Sequence, residues 1–102
     1  MAFTGAIRLS EKDNVATTLE NIEPGASVEV RLGDRVTRIK ALERIPFGFK
    51  VAVVDIARGS PIIKYGESIG VASTDIKEGH LVHIHNLEGT RGRGDLSRGG
   101  GK

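Results

Sequence analysis

The segment DIARGSPI, residues 55–62, decides the fold, because its form recurs as NIEPGASV (21–28) and DIKEGHLV (75–82). Each copy runs Asn or Asp, Ile, two variable residues, Gly, two variable residues, then Val or Ile. The physical reading is a strand that ends at Ile22, Ile56 or Ile76 and is followed by a turn. Gly25, Gly59 or Gly79 takes the positive φ that other residues resist, and a new strand opens at the next branched residue. The copies are unevenly spaced, which excludes a solenoid. They are related turns of one compact all-β module.

The flanking sequence agrees. SVEVRLGDRVTRI (27–39) places Val28, Val30 and Leu32 on one face and Glu29 and Arg31 on the other, with Gly33-Asp34 allowing a tight reversal, which predicts a β-hairpin. FKVAVVDI (49–56) is a nearly continuous branched run, as in a strand buried on both faces. LVHIHNL (81–87) alternates again. Gly and Pro interrupt every segment and leave room for at most one or two short helices. The one helical candidate is 12–20, where Val15, Thr17 and Thr18 suit a strand equally. The reading is a single domain over 1–88 followed by a flexible Gly/Arg-rich tail over 89–102, which holds too little apolar surface to order itself alone.

A chain of 102 residues can build a modest core without staples. With no cysteine, disulfides, thiolate metal sites and thiol nucleophiles are excluded. No apolar run approaches the roughly 20 residues of a membrane helix, and the start lacks a signal-peptide core, so a cytoplasmic location is expected and no membrane partner. The net charge is only +2 and the tail accounts for it, with Arg91, Arg93, Arg98 and Lys102 against Asp95. Aromatic content of 4% leaves few rings for base stacking, so nucleic acid is not an expected partner. Arg93-Gly94-Asp95 matches the integrin-adhesion tripeptide, which in a cysteine-free chain without an export signal reads as chance.

All three histidines fall in EGHLVHIHN (78–86). On a strand, His83 and His85 share one face about 6–7 Å apart. They can ligate one divalent ion, or divide ligand and acid–base roles; the competing reading is a surface strand with two satisfied imidazoles. His80 lies at the turn and faces solvent. Asn86 brings an amide that could orient a substrate. Lys64 and Tyr65, just before Gly66, can bind a carboxylate or move a proton, or form a solvated pair at a turn.

Taken together, DNVAT (13–17), IPFGFKVAVVDIARGSPIIKYGESIGVASTDIKEGHLVHIHN (45–86) and RGRGDL (91–96) resemble the SAF domain in the small subunit, or N-terminal domain, of the altronate/galactarate dehydratase family. The sulfolactate sulfo-lyase small subunit belongs to the same group. The resemblance implies a β-clip fold of short strands and hairpins. It also implies β-elimination of water from a sugar acid, or of sulfite from sulfolactate, in company with a large subunit. Catalytic roles are implied for Lys64, Tyr65, His83 and His85, and substrate contacts for Lys50 and Asn86. A divalent metal such as Fe2+ would be shared with or held by the large subunit, with His83 and His85 an incomplete ligand set. Family members often carry histidine at the positions of Phe49 and Leu81, neither of which can ligate or transfer protons. The alternative is a non-catalytic SAF-type binding or scaffold module. Exposed strand edges leave room for self-association.

Overall fold

In a computed structural model the described residues are 4–89, so the tail, with RGRGDL, lies outside them. These residues form nine strands: β1 (Thr4–Ile7), β2 (Val15–Thr18), β3 (Ser27–Leu32), β4 (Arg35–Lys40), β5 (Lys50–Ala52), β6 (Pro61–Lys64), β7 (Glu67–Ala72), β8 (Leu81–Val82) and β9 (Leu87–Gly89). Six of them make one sheet in the order β4-β3-β1-β2-β5-β8, and β6-β7-β9 make a second. The all-β expectation holds, with no helix among the described residues; the open segment 12–20 contains strand β2. The predicted hairpin is β3–β4, in register from Ser27↔Lys40 to Leu32↔Arg35.

The recurrent turns are built as pairs. Ile22 and Ile45 form one isolated antiparallel bridge, and Ile56 and Ile76 the other. In both, each isoleucine N–H donates to the other's carbonyl, at 2.7–2.9 Å. Ile45-Pro46-Phe47-Gly48 is thus a fourth copy that the sequence pattern concealed. Its glycine has φ 84°, against 86°, 87° and 94° at Gly25, Gly59 and Gly79.

It was hidden because Arg44 stands where the other copies have Asn or Asp, and the structure gives the reason. The residue before each of the other three isoleucines caps the opposite turn. Asn21 accepts from the Phe47 N–H, Asp55 from Glu78 and Asp75 from Arg58, each at 2.9 Å. The corresponding position opposite Arg44 is Pro24, which has no N–H to cap. Arg44 instead meets Glu23 at 3.5 Å.

The core follows this pairing. One cluster contains Ile22, Ile45, Val28, Val30, Ala16 and Val51, and the other contains Ile56, Ile76, Ile62, Val15, Ala52 and Val82. Consecutive residues of β2 and β5 enter opposite clusters, so these two strands are the wall between them. That accounts for the two-sided apolar run at 49–56. The strand itself is shorter than predicted, since Val53 is still buried but Val54 is already 47% exposed.

Two asparagines close the edges that the short strands leave. Asn14 donates its amide to Pro61 O at 2.9 Å and accepts from the Ile63 N–H at 2.7 Å. Asn86 donates to Leu81 O at 2.8 Å and accepts from the His83 N–H at 2.9 Å. In each case one carboxamide spans residues i and i+2 of the backbone, within β6 for Asn14 and at the end of β8 for Asn86, as the peptide group of a neighbouring strand would. Such a group blocks a strand edge without adding a strand.

Candidate functional site

The Lys64-Tyr65-Gly66 turn joins β6 to β7 and holds its tyrosine in a left-handed conformation, with φ 56° at Tyr65 and 82° at Gly66. Tyr65 is the single non-glycine residue with positive φ among those described. The conformation costs a β-carbon-bearing residue on the order of 1–2 kcal/mol and persists only where neighbours impose it. Asp13 is the neighbour responsible. Its carboxylate is buried and accepts from the Gly66 N–H at 2.7 Å, from Leu9 at 3.1 Å and from Ser10 at 3.3 Å.

Burial pushes the Asp13 pKa up, but the N–H groups of Gly66, Leu9, Tyr65 and Ser10 outweigh it, and the net shift is downward. A depressed folded-state pKa means that the stabilisation is present above the unfolded value near 4 and is lost as pH falls through the folded one. Asp13→Asn should therefore flatten the acid limb of a plot of urea midpoint against pH. An unchanged limb below pH ~4 would assign the acid sensitivity to other groups.

With the turn fixed, Tyr65 lays its hydroxyl 3.3 Å from Thr17 Oγ1, and the Lys64 ammonium sits 4.9 Å from the centre of the Tyr65 ring. Thr17 pairs with Lys50 across β2–β5, so both project to the same side of the sheet. Lys50 is half-buried. Burial lowers its pKa, and the charge of Lys64 lowers it further. Neither lysine has a carboxylate within ion-pair distance among the described residues. Thr17, Lys50, Lys64 and Tyr65 thus come together at the seam of the two sheets. Two cations with two hydroxyls beside them have the chemistry to hold a carboxylate.

The histidines are placed differently from the sequence expectation. Strand β8 ends at Val82, and His83–Asn86 is a turn closed by the Asn86 N–H to His83 O at 3.0 Å, so His83 and His85 do not share a strand face. The reason is Asn86, whose side chain occupies the edge on which a longer strand would have paired. Its amide donates to Leu81 O and accepts from the His83 N–H, which gives Asn86 a structural role alongside the substrate contact expected of it.

His83 packs its ring on Phe49, with centroids 4.6 Å apart at 51°. His85 is exposed and borders a cleft of about 180 Å³ with Glu43, Asp75, Lys77 and His80. Among the described residues no group of three His, Asp or Glu side chains could hold a metal ion, so His83 and His85 are not completed as a metal site there.

His80 is not a free turn residue. Its Nδ1 lies 2.8 Å from Glu43 Oε2, which also accepts from the Leu81 N–H at 3.0 Å. Asp13, Thr17 and Glu43 carried no assigned role in the sequence reading. For the first two the DNVAT motif was the available signal; for Glu43 there was none.

The chain matches the model of the altronate/galactarate dehydratase SAF domain over residues 4–90. It belongs to that family. This SAF domain is 40% identical over 80 residues to altronate dehydratase of Escherichia coli K12, covering 78% of this chain and 15% of that protein. It is 36% identical over 82 residues to altronate dehydratase of Bacillus subtilis 168, covering 80% and 16%. It is also 33% identical over 75 residues to (2R)-sulfolactate sulfo-lyase subunit alpha of Chromohalobacter salexigens, covering 72% of this chain and 80% of that subunit. The SAF domain therefore spans about a sixth of the dehydratases it matches and most of the sulfo-lyase subunit. By name, two of these relatives are dehydratases and the third is a sulfo-lyase subunit.

Proposed function

We propose that this SAF domain is the small subunit of a sugar-acid hydro-lyase of the altronate dehydratase type, acting with a separate large subunit in β-elimination of water. The observation that carries the reading is the pair of ammonium groups on Lys50 and Lys64, neither with a carboxylate partner among the described residues, set beside the Tyr65 and Thr17 hydroxyls. A carboxylate between the lysines would remove their mutual repulsion and withdraw electrons from the adjacent carbon, easing loss of its proton. Tyr65 would hydrogen-bond the same carboxylate or a neighbouring hydroxyl. A metal ion, ferrous iron by family resemblance, would supply Lewis-acid assistance to the departing hydroxide from the large subunit. His83 and His85 would lie at the face shared with that subunit.

The match to 80% of a sulfo-lyase subunit favours a second reading, in which the same small-subunit arrangement serves sulfite elimination from sulfolactate. Two cations suit that dianion as well. A substrate panel separates the two: the chain assembled with its large-subunit partner, ferrous iron, uronate- and aldarate-derived acids, and (2R)-sulfolactate.

With the active acid, a Lys50→Met, Lys64→Met double variant should lose at least about 100-fold in kcat/KM, the scale of two charged hydrogen bonds. Because the charged form of Lys50 is disfavoured by folding, the same variant should melt no lower than wild type. Retention of full activity would remove the carboxylate-receptor role. If neither acid class turns over in the wild-type complex, a binding or scaffold role is left.

A further inference from the structure

His80 and Glu43 come from loops that share no strand, yet the backbone fixes their encounter. Leu42 donates to Gly79 O at 2.9 Å, and Gly79 donates to Ala52 O at 2.8 Å, so the residue before Glu43 and the residue before His80 are bonded directly. The Leu81 N–H then locks the Glu43 carboxylate in place at 3.0 Å. A carboxylate only accepts hydrogen bonds, so the ring nitrogen facing it, Nδ1, must carry a proton. In the neutral ring this leaves Nε2 bare and basic. Both residues, with His85 and Lys77, border the cleft of about 180 Å³. A carboxylate that fixes the tautomer of an imidazole beside a cleft is the arrangement of an oriented general base.

We propose that His80, oriented by Glu43, is the proton-accepting residue of the elimination, an assignment that rests on the hydro-lyase reading above. Its placement relative to the lysines fits. Lys50 pairs with Val82, and Ala52 donates to His80 O at 3.0 Å, so the two residues lie two steps apart along β5–β8, about 6–7 Å of strand. Over that interval the two side chains can reach adjacent atoms of one small acid, its carboxylate and the carbon next to it.

In the step itself, Nε2 takes the proton from the carbon next to the carboxylate. The C–H electron pair becomes the new C=C bond, and the neighbouring C–O bond breaks with its pair leaving on hydroxide. A proton relayed from solvent converts the hydroxide to water, and the imidazolium returns its own proton to solvent. The net loss is one water, and the enol product tautomerises to a 2-oxo acid. Glu43 acts as a positioning residue through the ring.

Two measurements test this. Long-range 1H–15N correlation on the 15N-labelled chain should find His80 protonated at Nδ1 and bare at Nε2, with Glu43→Gln mixing the tautomers. The opposite tautomer in the wild-type chain overturns the proposal.

In the assembled complex, His80→Asn is the decisive variant, since its amide nitrogen can keep the bond to Glu43 while Nε2 is lost. It should melt like wild type, hold KM within about threefold and lose at least 100-fold in kcat. Glu43→Gln should lose an intermediate amount, with partial rescue by Glu43→Asp. If wild type turns over and His80→Asn keeps more than half its kcat, the base is another group and only the hydro-lyase reading survives. If wild type eliminates no water from any sugar acid, both fall.

Discussion

Asn86→Ala should lower the unfolding free energy of the domain by about 1–3 kcal/mol, the cost of leaving two partly buried backbone groups without partners. The two groups are Leu81 O and the His83 N–H, which Asn86 serves at 2.8 and 2.9 Å. Asn86 is only 5% exposed, so water cannot simply take over. Against a total stability of about 5–15 kcal/mol for a domain of this kind, the loss is a large fraction. Asn86→Asp should be nearly as damaging, because a carboxylate can still accept from His83 but cannot donate to Leu81. Urea midpoints for both variants give the answer. A substrate ligand would behave differently, with unchanged midpoints and a weakened KM; that result would support the binding role suggested by the sequence.

Gly79→Ala should be more damaging still, at about 3–5 kcal/mol, in the range reserved for clashes that cannot relax. A β-carbon there would stand 2.1 Å from Lys40 O and 3.2 Å from the Leu42 side chain, at a φ of +94°. The backbone cannot retreat, since the Gly79 N–H and carbonyl are bonded to Ala52 and Leu42. Gly59 is the internal control. Its φ is +87°, but nothing lies within 4 Å of an added β-carbon. Gly59→Ala should thus cost only the left-handed conformation, about 1–2 kcal/mol. Equal thermal shifts for the two variants would mean that the φ alone matters and that the Lys40–Gly79 approach is looser than described.

The all-β class and the β3–β4 hairpin were legible in the sequence because alternation and turn glycines act locally. Three of the four isoleucine turns were legible for the same reason. The fourth was not, since Arg44 takes its form from Pro24, a residue twenty positions earlier that removes the need for a cap. Side-chain capping across a bridge leaves no local pattern.

The histidine region failed on the same ground. Alternation in LVHIHNL argued for a strand through His85, but Asn86 folds back to bond Leu81 and His83, and the strand stops at Val82. Lys64 and Tyr65 were identified from their position before Gly66, and Lys50 from family resemblance. Their convergence with Thr17 needed the β2–β5 register and the Asp13 bond to Gly66. The Glu43–His80 contact joins residues 37 apart through two loops, and neither loop has a periodicity to read.

The division of the core into two clusters, each with its own bridged pair of turns, has a thermodynamic consequence. Lys50 stands on the wall strand β5 and Lys64 on β6 of the second sheet. A small dianion gripped by both would be a strut across the seam. By linkage, it should stabilise the folded chain by RT ln(1 + [L]/Kd). Hydrogen exchange would then slow along β6–β7 and β2–β5 together, while the distant β3–β4 hairpin, bound into the other cluster, would exchange as before.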